Sequence, residues 1–169
     1  MPNLRRAAFE YCNPEEIFMV VDGDDELLGR QVLKVFNARF QKENAWFVYS
    51  NFIHGHDNKI GYSRPFPAEV MEINMYRAYP FVTSHLRAFY TQLFRNIKEE
   101  DLKDDQGNYF SAANDVAICI PALEQAHRHV SYLPELTYFY SDNTGQNNHQ
   151  IRANEQRNND QNLRRRVSY

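Results

Sequence analysis

The run Ile17-Phe18-Met19-Val20-Val21 is continuous, apolar and β-branched at several positions, and it stops abruptly at Asp22-Gly23-Asp24-Asp25-Glu26. A strand buried on both faces reads this way, as in a parallel sheet covered by helices on each side. Leu28, Val32, Val35, Phe36 and Phe40 then recur at helical spacing, and Trp46-Phe47-Val48-Tyr49-Ser50 supplies the next strand. Strand, helix, strand in that order is a βαβ unit, so the expected class is an α/β sheet with flanking helices.

Around this unit the pattern is less regular. Asn3 to Tyr11 suits a short helix ended by Asn13-Pro14, and Asn51 to Pro67 reads as loop with a short strand near Ile60 to Ser63. Leu86, Phe89, Tyr90, Leu93, Phe94 and Ile97 fit one helical face, predicting a helix over Ser84 to Asn96 with Ser84 as its N-cap. Asp115 to His127 is also expected to be helical, kinked or split by Pro121. Val130–Leu133 and Leu136–Tyr140 are two short strand candidates. Beyond Asp142 the composition turns to Asn, Gln and Arg, which predicts a loop and then a poorly packed helix or tail. The expected division is therefore a domain over 1–150 and a polar, basic tail over 151–169.

Composition narrows the class. With 43% hydrophobic residues the chain can build a core, and a net charge of -3 argues against a nucleic-acid binder. The basic run Arg164-Arg165-Arg166 is expected to be solvated. Two cysteines, Cys12 and Cys119, make no disulfide framework and read as buried free thiols of a reducing compartment. No apolar stretch is long enough to span a bilayer and no signal-peptide pattern opens the chain, so a soluble, cytoplasmic protein is expected.

The acidic turn carries the chemistry. In an extended chain Asp22 and Asp24 point to one side, and at neutral pH their charges repel unless a cation offsets them. Mg²⁺ or Mn²⁺, completed by substrate phosphates, fits such oxygen ligands, and the position beyond a strand's carboxyl end is where α/β sheets bind ligands. A solvated acidic turn is the other reading. An EF-hand fails because Leu27 stands where that loop needs Gly. A phosphatase of the haloacid dehalogenase type shares the hydrophobic-DxD pattern, but Glu26 departs from its usual Thr or Val. His54-Gly55-His56-Asp57 resembles part of a metallo-β-lactamase motif, yet its Asp comes one residue early and a second His is missing, so a polar loop is expected.

Four segments in order resemble family 2 glycosyltransferases of the GT-A fold, in the subset acting on polysaccharides and lipopolysaccharides. They are Val21-to-Gly29 (VDGDDELLG), Thr83-to-Ile97 (TSHLRAFYTQLFRNI), Gly107-to-Tyr140 with its Pro-Glu-x-x-Tyr-x-Tyr strand, and the Asn-rich Asn143-to-Gln150. The resemblance implies a Rossmann-like GT-A sheet that lacks the N-terminal unit holding the nucleobase. It also implies that Asp22 and Asp24 hold the metal on a sugar-nucleotide diphosphate, with Asp25 adjoining them on the donor side and His149 completing the metal shell. By the same resemblance Asp115 is the general base, and His85 and Arg87 touch acceptor or phosphate. The function implied is transfer of a sugar from a nucleotide-diphosphate donor to a glycan or glycolipid hydroxyl, with inversion. The missing unit leaves two alternatives open: a further chain or domain that supplies it, or a non-catalytic remnant that binds glycan or a partner.

The residues also have plainer readings. Asp115 could serve only to offset a helix dipole, and His127 and His129 to support that helix's C-terminus. Tyr138, Phe139 and Tyr140 read as strand packing with one ring at a cleft, and Trp46 as core.

Overall fold

The computed structural model describes residues 1–142 and 152–169. Helix α1 (Pro2–Arg6) runs directly into a π-helical turn, Ala7–Tyr11. The strands are β1 (Ile17–Val20), β2 (Glu26–Leu27), β3 (Phe47–His54), β4 (Arg87–Tyr90) and β5 (Val130–Tyr140). The remaining α-helices are α2 (Val32–Glu43), α3 (Ala68–Glu72), α4 (Thr91–Arg95), α5 (Asn114–Ala126) and α6 (Ala153–Arg164).

The five strands form one mixed sheet in the order β1-β4-β3-β5-β2. β4 pairs antiparallel with both β1 and β3, so β1 and β3 run the same way with β4 inserted between them. The expected βαβ direction is therefore present, but its strands are not neighbours. The parallel pair is β3 with β5, from Phe47 opposite Val130 to His54 opposite Tyr140.

Alternation on the sheet creates two cores. Phe18, Phe47, Tyr49 and Phe89 face α4 and α5, whereas Val48, Phe52, Ala88 and Tyr138 face α2 through Val32, Phe36 and Phe40. The latter three recur every fourth residue, so α2 buries one stripe against the sheet. The helix begins at Val32 and not at Leu28, which stays in the exposed turn where its N–H donates to Thr137 O.

The structure corrects several expectations. Ser84 to Asn96 is not one helix: β4 occupies its first half and only Thr91–Arg95 is helical. An inner strand is apolar on both faces, and such a run fits helical spacing as well as strand spacing. Arg87 and Phe89 point to one face, Ala88 and Tyr90 to the other. β1 lies at the sheet edge, with Phe18 its one buried side chain, so it is not buried on both faces. The two short strand candidates are one strand, because Tyr49 opposes Tyr132 while Asn51 opposes Leu136. The extra residues there form a bulge that accommodates Pro134, which has no N–H to give to a ladder. Near Ile60 the structure holds a single bridge to Ile53 where a short strand is expected.

α5 runs without a break through Pro121. Its long buried stretch, Val116 to Glu124, offsets the roughly 3 kcal/mol that an internal proline costs. The basic C-terminal run is engaged as well as charged. Arg164 Nη1 donates to the carbonyls of Arg77 and Tyr79 at 2.8 and 2.7 Å, and Arg166 Nη2 donates to Lys103 O at 2.6 Å. Leu163 is the one buried side chain of α6, so the segment is a lightly packed helix, as expected. Trp46 is 38% exposed and stacks on His129 at 4.7 Å, outside either core. Cys119 is buried but Cys12 only half-buried. Among the described residues no helix is long and apolar enough to cross a membrane.

Candidate active site

The acidic turn after β1 is tethered by Tyr138 of β5 and by Ser141 just beyond it. The Tyr138 hydroxyl donates to Asp25 Oδ2 at 2.6 Å and accepts the Asp22 N–H at 3.1 Å. Ser141 N–H donates to Asp25 Oδ1 at 2.8 Å, and Asp25 N–H returns to Asp22 O at 3.1 Å. Both oxygens of Asp25 are thus engaged, while Asp22, Gly23 and Asp24 line a cavity of about 410 Å³.

The opposite walls come from distant segments. Arg87 and Phe89 enter from β4, Asn114, Asp115 and Ile118 from α5, and Tyr140 from β5. Ala113, just before α5, has φ 63°, a left-handed turn that starts the helix at the cavity wall. Asp115 Oδ1 accepts the N–H of Val116, placing the carboxylate in the first turn of the helix, where the dipole favours a negative charge. The Asn114 side-chain oxygen is buried there with no donor among the described residues.

Electrostatics tie these walls together. Desolvation raises the Asp22 carboxyl above its ordinary range; Arg87 opposes that shift, and Asp115 and Asp24 add to it. Desolvation likewise raises Asp25, against the hydrogen bonds from Tyr138 and Ser141. Arg87 is buried, its guanidinium within the fields of Asp115 and Asp22 and also donating to Ser84 O. His85 stacks on Tyr138 and Tyr140 with ring centroids 4.9 and 5.0 Å away. Burial, with the charges of Arg87 and His54, pushes its pKa down to about 2, so its imidazole is neutral and able to ligate a cation.

Most of the sequence-predicted residues meet here. Asp22, Asp24, His85, Arg87 and Asp115 all line the one cavity. The ligating atoms of Asp22, Asp25 and His85 lie within 4.8 Å of one another, and Asp24 is not part of that trio. A carboxylate-rich set of this kind fits a hard divalent cation. His85 and Arg87, expected on the acceptor side, stand beside the acidic turn. His149 lies outside the described residues.

A second cavity, of about 660 Å³, adjoins the first and is lined by Tyr62, Tyr79, Phe81, Val116 and Arg157. Asp115 and Gln156 belong to both. Leu4 and Gln156, from opposite ends of the chain, also wall the first cavity, and no local pattern in the sequence marks them. Tyr138 is the other contributor that local reading misses, since its role rests on a hydroxyl reaching a turn far away in the chain. Scanned against protein-family models the chain matches none, and a search of curated proteins returns no match.

Proposed function

We propose that the chain is a glycosyltransferase that moves a sugar from a nucleotide-diphosphate donor to a glycan hydroxyl, with inversion. The observation that carries this reading is the place of Asp115, shared between the acidic cavity and the aromatic cavity beside it. A donor diphosphate belongs with Asp22, Asp24 and Arg87, and an acceptor sugar belongs against Tyr62, Tyr79 and Phe81, since aromatic rings present apolar faces to sugar rings. Asp115 then stands where the two substrates meet.

Mn²⁺ or Mg²⁺ held by Asp22, Asp25 and His85, whose ligating atoms converge, with Asp24 on the same cavity wall, would supply neutralisation of charge on the departing diphosphate. The remaining work falls to side chains of this chain. Arg87 fixes the charged end of the donor; its burial keeps that charge in a poorly screened setting. Asp115 accepts the proton of the acceptor hydroxyl as its oxygen bonds to the anomeric carbon. The bond from that carbon to the diphosphate oxygen breaks, its electron pair leaving with the diphosphate. Tyr138 and Ser141 hold the acidic turn in place throughout.

Calorimetric titration with UDP and GDP, with and without Mn²⁺, tests the donor half of the reading. Metal-dependent binding by the wild type that Asp24→Asn abolishes is the expected result. A folded chain that binds neither nucleotide overturns the assignment as a self-sufficient transferase.

A further inference from the structure

The parallel ends of β3 and β5 bring a different set of ligands together. His54 closes β3 opposite Tyr140, and His56 and Asp142 follow the two strand ends. His54 Nδ1 lies 2.5 Å and His56 Nδ1 2.7 Å from the same oxygen, Asp142 Oδ2. Ligating atoms of all three residues fall within 4.8 Å of one another.

Two details point beyond simple hydrogen bonding. Asp142 is buried, and its other oxygen is oriented by the His56 N–H at 3.0 Å, so Oδ2 is aimed at both rings. The far nitrogen of His56, Nε2, stands 3.4 Å from Asp57 Oδ2. A carboxylate beside one imidazole nitrogen fixes the tautomer that leaves the other nitrogen's lone pair free for a metal. Here that other nitrogen is the one that faces Asp142.

We propose that His54, His56 and Asp142 form a binding site for a transition-metal ion of the Zn²⁺ type, separate from the acidic turn. Ligand atoms around tetrahedral Zn²⁺, at about 2.0–2.1 Å from the metal, sit roughly 3.3 Å apart. The three atoms therefore need to separate by less than about 1 Å, and the His56 side chain, 51% exposed, has room to swing. Two imidazoles and one carboxylate favour Zn²⁺ over Mg²⁺, whereas the oxygen-rich acidic turn favours the reverse. The ion clasps the end of β3 to the end of β5, next to Ser141, whose N–H holds Asp25.

The test uses the full chain, stripped with a chelator, loaded with Zn²⁺, desalted and measured for retained metal, with Co²⁺ as an optical probe of tetrahedral coordination. The wild type is expected to retain stoichiometric Zn²⁺ and to give intense visible Co²⁺ bands. His56→Ala, at an exposed ring, should fold and bind at least about 10–100-fold more weakly, and Asp142→Asn should do the same. Asp24→Asn should retain Zn²⁺ fully, which keeps this site's fate distinct from that of the donor site. No retention by the wild type overturns the proposal, as does retention that survives His56→Ala or is lost in Asp24→Asn.

Discussion

Arg77 and Glu124 form a two-pronged ion pair, Nε to Oε1 at 2.8 Å and Nη2 to Oε2 at 2.7 Å, with the Glu124 side chain wholly buried. The same guanidinium donates to Leu163 O at 2.5 Å, so the pair fastens α6 to α5. Removing one partner of a buried pair strands the other charge. Arg77→Ala should therefore lower unfolding free energy by about 3–5 kcal/mol, and Arg77→Met with Glu124→Leu should recover most of that loss. Urea denaturation of the single and double variants gives the comparison.

Gly61 lies against the Phe52 ring so closely that an added Cβ would come within 2.3 Å of it. Phe52 is buried and meets His54, His85 and Tyr140 edge-to-face, so it cannot retreat freely. Gly61→Ala is expected to cost about 1–3 kcal/mol through overpacking, read as a lower thermal midpoint.

Tyr138→Phe removes one hydroxyl and with it the partner of two groups, Asp25 Oδ2 and the Asp22 N–H. The expected cost is about 1–3 kcal/mol. Under the transferase reading, metal-dependent nucleotide binding should weaken with it, since the turn loses an anchor. Unchanged binding in a destabilised variant would confine Tyr138 to folding.

Burial pushes the Cys119 thiol up to about 12. A raised thiol pKa keeps the neutral form below that value, so Cys119 stays protonated and unreactive at pH 8–9. Half-buried Cys12 is the thiol a disulfide reagent should titrate in the folded chain, with the second released only by denaturant. Two fast thiols under native conditions would contradict the buried position of α5.

Under the transferase reading, Asp115→Asn should lower turnover by roughly 10²–10⁴-fold while leaving metal-dependent nucleotide binding intact. Asp24→Asn should lose both. Steady-state transfer assays beside calorimetry separate the two roles, and a retained anomeric configuration in the product would remove Asp115 as the base.

Continuous apolar runs made β1 and β3 legible and helical repeats made α2 and α5 so, because Phe36 and Phe40, or Val116 and Ile120, repeat with the element that buries them. β4 was not legible because it runs straight into α4, and Leu86, Phe89, Tyr90, Leu93 and Phe94 together fit one helical face. The acidic turn declared its charge in sequence, but not its anchor. Tyr138 reaches Asp25 across a separation of 113 residues, and Ser141 across 116, distances over which no spacing rule operates. The stacking of His85 on Tyr138 and Tyr140 is hidden in the same way.

The sheet order β1-β4-β3-β5-β2 also governs time. β2 can pair only after β5 has been delivered, and β4 must slot between two strands laid down before it. Loops this long must close before their contacts repay the lost chain entropy, which slows the folding of such topologies relative to helical bundles. Synthesis from the N-terminus therefore exposes the acidic turn long before its anchor exists. The candidate cavity can close only once Tyr138, and after it Gln156, are in place, so it depends on the part of the chain made last.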